Sequence, residues 1–490
     1  MNLKKSLEDI VGSPHVCDSE DSLQQYSRDQ SFVPALAPDF VIFPQHTDAV
    51  QEVVKLANRT RTPLVPYSSG LNLHGAALPS CKGSIILNLS RMNRILSIDE
   101  DNWFAVVEPG VTYEQLQGEL STKQLRAMIP LGASPRRTVL SSILERDPAL
   151  AAASFEYGND LMLDTEIILP EGELFRTGIW ASGGRPGSHL GPVRSLLYRF
   201  WTAAQGTLGI MTKMAVQVEH LPALQEIFFI PFASLKDSLN AITHIQRREI
   251  GLECFLLNRF NLSAMLCRDW HVPEEFPAKS ISSDHFETLS EELPAWLLTI
   301  CLPSPPRLPE EKIAYEKEAL MDTCARLGIT PLSTIPSAPN AGRYFSRFVH
   351  TPWDTLKKFC YKGSVHDLSF KSPLKRVPEF ESIIHTLCRE HNYPLEALGG
   401  YLLPIERGRA FHLEFDLHCD PVNPEEKEQV KQLWRTCSEA LISRGAFFDR
   451  PYGAWAAMIY KKTGTYTKKL KELKDTLDPH HIMNPGKLCF

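Results

Sequence analysis

Residues 411–418 read FHLEFDLH. Side chains alternate across a strand, so Phe411, Leu413, Phe415 and Leu417 fall on one face. His412, Glu414, Asp416 and His418 fall on the other. Two imidazoles and two carboxylates in one row have three uses. They can form the wet face of an antiparallel strand, the wall of an active site that supplies a general base, or a metal site. Residues 447–455, FFDRPYGAW, set Arg450 among aromatic rings. A guanidinium there can clamp an anionic, planar group, or it can lie on the surface beside a packed corner.

Two loops could hold a ligand through backbone. Residues 67–72, YSSGLN, follow an apolar strand; consecutive N–H groups in such a turn converge on phosphate. Residues 205–209, QGTLG, carry two glycines that would admit a flat ligand closely. Neither matches GxGxxG or a P-loop, so neither argues for a Rossmann or ATP site. Each loop also reads simply as a tight connection.

The elements around these residues follow from periodicity. Residues 41–43 and 63–66 read as strands. Between them, a helix capped by Thr47 or Asp48 runs to Asn58, with Val50, Val53, Val54 and Ala57 on one face. This is a β-α-β unit. Strands are expected at 84–89, 94–99 and 104–107, a Gly-containing loop followed by a strand at 205–218, and a hairpin at 165–177 turning at Pro-Glu-Gly. Thr112 and Gln115 form a capping-box pattern that starts a helix. From 221 onward strands at 227–230 and 296–302 alternate with helices at 235–248 and 310–327, punctuated by Pro-rich spacers. A last helix is expected at 467–477.

The chain has 490 residues, 52 basic and 58 acidic, a net charge of −6, and 43% hydrophobic residues. That is a globular balance without the basic excess of a nucleic-acid binder. The 11 cysteines include no CxxC pair, which argues against zinc fingers, thioredoxin-type sites and ferredoxin-type clusters. Reduced thiols and a start without the apolar core of a signal peptide point to a cytoplasmic protein with no membrane span.

Taken together, PLVPYSSGLNLHGAA, GSIILNLSRMNRIL and FAVVEPGVTYEQL resemble the first FAD-binding segment of the vanillyl-alcohol oxidase and p-cresol methylhydroxylase flavoproteins. TVLSSILER, EIILPEGELFRTG, QGTLGIMTK and the terminal LDPHHIMNPGK continue the resemblance in the same order. It implies an α+β chain: a two-subdomain PCMH-type FAD-binding domain at 39–220 after an N-terminal segment at 1–38. An α+β cap domain at 221–440 and a segment at 441–490 returning to the FAD domain complete it.

By resemblance, FAD is held by Pro66, Tyr67, Ser68, Ser69, Gly70, Leu71 and Asn72. Val139, Leu140, Ser141, Gly206, Leu208, Gly209, Ile210 and Lys487 line the rest of the cofactor, which could be joined covalently to His412 or His418. Catalysis is expected from His412, Glu414, Asp416, His418, Arg450 and Asp160, with no metal. Arg450 stands at the family's phenolate-binding arginine, while Asp449 stands where that family has a tyrosine.

The activity implied is hydride removal from a small anionic alcohol or alkylphenol-like substrate to flavin N5. Alternatives are a 2-hydroxyacid dehydrogenase of the lactate or glycolate type, and a non-catalytic flavoprotein subunit. No GHxGDGNLH-like segment of the hydroxyacid enzymes is present. Electrons would pass to O₂ or to a separate acceptor protein; a homodimer is left open, and no nucleic acid is expected.

Overall fold

The computed structural model describes residues 2–71, 73–151, 161–184 and 197–490. Among the described residues the chain folds around three large sheets, with a two-stranded pair, Leu125–Arg126 and Glu219–His220, beside them. The first has four strands in the order Val16–Cys17, Phe40–Ile42, Ile85–Asn88 and Leu64–Tyr67, all parallel except the first pair. Helix Thr47–Thr60 crosses it and buries Val50, Val53, Val54 and Ala57, the stripe legible in the sequence. Its cap is neither Thr47 nor Asp48 but His46, whose ring nitrogen accepts the Ala49 N–H at 3.2 Å. Imidazole can serve there because it too presents a lone pair to an orphan helix donor. The N-terminal segment does more than lead in: it supplies strand Val16–Cys17, and Phe32 stacks on His366 of the cap.

The second sheet is antiparallel, in the order Ile95–Asp99, Phe104–Val107, Ile210–Gln217, Met162–Ile168 and Leu174–Arg176. Helix Tyr113–Ser121 packs beside it with Thr112 accepting the Gln115 N–H at 3.2 Å. The reciprocal half of the capping box is not made, because Gln115 donates to the Asn93 carbonyl instead.

The cap is a six-stranded antiparallel sheet: Leu224–Phe232, Trp296–Ser304, Glu253–Asn258, Gly399–Ile405, Ala410–Cys419 and Ser364–Ser372. Alternation sorts its two faces. Phe228, Leu256, Leu402, Phe411, Leu413, Phe415 and Leu417 meet helices including Leu235–Arg247, Val377–Glu390 and Pro424–Ser443 in one core. Phe229, Phe255, Tyr401 and Leu403 point the other way. A buried pair joins cap to FAD half: Arg126 lies 2.8 Å from Glu253.

The chain then returns. Helix Gly464–Leu477 lays Leu473 and Leu477 on the core of the second sheet. Beyond it, Ile482 and Asn484 exchange backbone hydrogen bonds with Leu64 at 2.7 and 2.8 Å, extending the first sheet. Among the described residues no helix is long and apolar enough to cross a membrane.

Candidate active site

A cleft opens where the two sheets of the first half meet. Residues 66–71 form one wall; Leu140, Ser141, Gly206, Gly209 and Ile210 form the other. The backbone makes this possible. Gly206 has φ +70°, and a Cβ there would lie 2.2 Å from Pro66 Cγ, so the loop approaches residue 66 only without a side chain.

The terminal segment holds both loops from behind. Asn484 donates to the carbonyls of Ala76 and Gln205 at 3.0 and 2.7 Å, and Lys487 to that of Gly75 at 2.7 Å. Lys474, almost fully buried, donates to the carbonyls of Thr207 and Met483 and pairs with Asp478 at 2.5 Å. Of the expected cofactor residues, Lys487 therefore sits behind the cleft rather than on it. Val139 and Leu208 are buried in the adjoining core, and Asn72 lies outside the described residues.

Sequence reasoning missed Arg137, Trp201 and Gln205, which also line the cleft. Arg137 directly precedes the TVLSS segment, and Gln205 opens the QGTLG loop, so position alone could have flagged both. Neither side-chain amide atom of Gln205 has a hydrogen-bond partner among the described residues, though both are buried. Such orphans are rare in native structures. With the glycine-lined wall they fit a bound polar, flat molecule such as FAD.

A second cleft continues under the cap and shares Leu71, Arg137 and Glu145 with the first. His412, Glu414 and Asp416 of strand Ala410–Cys419 line it, as does Arg450. The alternating strand therefore does not face open solvent: His412 and Asp416 are buried. His418 lies apart, enclosed by Phe260 and Tyr361. Asp160 lies outside the described residues.

The charges in this cleft come in pairs. Lys358, from residues 352–360, sits 2.8 Å from Asp416 and 3.0 Å from Glu414, and Asn261 donates to Asp416 at 3.1 Å. Burial works against ionisation of both carboxylates. Lys358 and His412 still hold Glu414 below the usual carboxylate range, while burial and the charge of Glu414 leave Asp416 raised. Two carboxylates around one ammonium cannot both be fully compensated.

Arg450 Nη1 donates to Asp147 at 2.7 Å and Nη2 to Ser369 at 3.3 Å; Arg137 reaches Asp147 at 3.0 Å and Glu145 at 2.6 Å. The cation expected to meet a substrate anion thus already has a carboxylate beside it. Asp449 forms a close pair with Lys371, whose ammonium is pulled down to about 7 by burial.

Residues 38–178 match the family model described as an FAD binding domain. Over 99% of this chain and 96% of its own length, the glycolate oxidase subunit GlcD of Bacillus subtilis is 27% identical. The 4-cresol dehydrogenase [hydroxylating] flavoprotein subunit of Pseudomonas putida is 23% identical over 98% of this chain and 93% of its own. A crystal structure of p-cresol methylhydroxylase with substrate bound superposes with a TM-score of 0.81. It is 19% identical and covers 99% of this chain and 96% of that one. The chain therefore carries an FAD-binding domain of the PCMH type at residues 38–178 and is an FAD-dependent oxidoreductase, similar over nearly its whole length to these flavoproteins.

Proposed function

We propose that this oxidoreductase takes hydride from a small substrate held in the cleft under the cap, at a carbon that bears oxygen or adjoins an aromatic ring. The observation that supports it is the junction: a glycine-walled cleft meets a charged cleft at Leu71, Arg137 and Glu145. FAD, when bound, supplies the hydride acceptor. Residues 66–71, Leu140, Ser141, Gly206, Gly209 and Ile210 would hold it, with the orphaned amide of Gln205 as a further partner.

The remaining roles belong to the cap cleft. Arg450 orients an oxygen-bearing group of the substrate, and Asp147 fixes the guanidinium in place. His412, Glu414 and Asp416 are the candidates for accepting a proton. Lys358 keeps Glu414 ionised and so shapes that choice. Burial of this strand face inside a cleft supports catalysis over a purely structural subunit. Substrates of the kinds named by the relatives, glycolate and 4-cresol, define the range to be tried, with lactate added as a second hydroxyacid. The acceptor of the electrons is either O₂ or a separate protein.

The test is anaerobic addition of glycolate, D-lactate, 4-hydroxybenzyl alcohol and 4-cresol to the FAD-loaded protein. Bleaching of the flavin band by at least one is expected. No bleaching by any of them would overturn the reading.

A further inference from the structure

Besides Nε of Arg137, two buried polar atoms of residues lining the cap cleft have no hydrogen-bond partner among the described residues. One is the hydroxyl of Tyr401, a residue 3% exposed in strand Gly399–Ile405; the other is Nδ1 of His412, 1% exposed. Both residues line the cleft. In the strand pair Tyr401 stands opposite Glu414, and Leu403 opposite His412, so Tyr401 and His412 are diagonal neighbours on one face. Their rings meet edge to face with centroids 5.7 Å apart.

The surroundings give the two atoms opposite characters. His412 Nε2 lies 3.8 Å from Glu414 Oε2, a carboxylate that Lys358 keeps ionised. The proton of the neutral ring is therefore favoured on Nε2, which leaves a lone pair on Nδ1. Burial lowers His412, so the ring is neutral, and raises Tyr401 well above its ordinary value, so the phenol keeps its proton. The pair thus presents one O–H donor beside one nitrogen acceptor. Buried groups of this kind rarely stay unsatisfied. The simplest complement is a group that accepts and donates through a single atom, which is a hydroxyl.

We propose that Tyr401 and His412 together recognise the carbinol hydroxyl of the substrate. Tyr401 donates to its oxygen, and the hydroxyl donates to His412 Nδ1. The substrate class is then an alcohol rather than an alkyl C–H compound. This inference rests on the proposed function and narrows it. Tyr401 lies on a different element from Arg450 and from the polar row at 412–418, so the single-strand pattern did not include it.

The test uses FAD-loaded protein reduced beforehand with dithionite, so that no probe turns over, and calorimetric titration with two matched pairs. 4-Hydroxybenzyl alcohol differs from 4-cresol, and glycolate from acetate, by the carbinol hydroxyl alone. The wild type is expected to bind the hydroxyl-bearing member of at least one pair about tenfold more tightly, the scale of one hydrogen bond in a buried site. Tyr401→Phe should remove that preference by weakening the hydroxyl-bearing member only, with FAD content unchanged. Equal affinities within both pairs, a preference that survives Tyr401→Phe, or no binding of any of the four probes would overturn the inference. Flavin bleaching by 4-cresol without a preference for the alcohols would leave the proposed function standing and sink alcohol recognition alone.

Discussion

At Gly206 an added methyl would meet Pro66 Cγ at 2.2 Å, whereas at Lys358 the protein places an ammonium 2.8 and 3.0 Å from two carboxylates. The first cleft is made of backbone: two loops brought close by glycine and held by carbonyl hydrogen bonds from Lys474, Asn484 and Lys487. The second is made of side chains drawn from residues 137, 147, 358, 412–416 and 450. A backbone site binds a constant ligand and tolerates little change in its loops. A side-chain site can be re-lettered without disturbing the fold, which suits a fold whose relatives carry different substrate names.

The contrast predicts where mutations separate binding of FAD from turnover. The largest effect is expected at Lys474. Lys474→Met leaves Asp478 buried without its cation and frees the carbonyls of Thr207 and Met483. Breaking a buried pair in this way costs about 3–5 kcal/mol. Urea unfolding should show the loss, and the flavin-to-protein ratio should fall with it. Next comes Lys358→Met, which strips Glu414 and Asp416 of their common partner. Flavin reduction should slow by about a hundredfold, the lower range of an acid–base contribution, while FAD content holds.

A smaller change is expected at Arg450. Arg450→Ala should weaken substrate binding by roughly ten- to a hundredfold, as a lost charge-assisted contact of about 1.5–3 kcal/mol implies. Arg450→Lys should recover part of it, since lysine lacks the planar fork. Normal binding by the alanine variant would reduce Arg450 to the partner of Asp147.

A separate effect, absent at neutral pH, concerns pH. His350 and His366 are both pushed down to about 4, chiefly by burial, from an ordinary 6.5. A histidine lowered on folding is neutral in the fold but takes up a proton more readily once unfolded. Its contribution is complete above about 6.5 and is lost as pH falls from there toward 4. Thermal melts should show stability declining across that window. His350→Gln should flatten the profile, because the glutamine does not titrate; a slope equal to the wild type's would remove His350 from the account.

Much of the first half was legible because its signals are local. The stripe Val50, Val53, Val54 and Ala57 describes its own helix, and the loops at 67–72 and 205–209 carry their glycines in sequence. The row at 412–418 was legible as an alternation, and its apolar partners did enter the core. Its ends were not: His418 points into an aromatic enclosure, because the cleft closes before the strand does. Lys358 gave no signal, since it stands in a turn of 3-10 helix far from residues 414 and 416 and is joined to them only by the fold. Tyr401 likewise becomes a cleft residue only through the register of two neighbouring strands. The NPGK ending was recognised, but its work of tying the two glycine loops together was hidden in side chain to backbone hydrogen bonds.

The claim that one cleft holds FAD and the other performs the chemistry is tested most directly by anaerobic spectrophotometry on three proteins side by side. The wild type should be yellow and should bleach with an alcohol substrate. Gly206→Val should be folded by circular dichroism yet colourless after FAD is added, because its side chain would occupy the approach to Pro66. Lys358→Met should be yellow and should fail to bleach on the same timescale. If Lys358→Met loses FAD as readily as Gly206→Val, or bleaches at the wild-type rate, the division of labour between the two clefts is wrong.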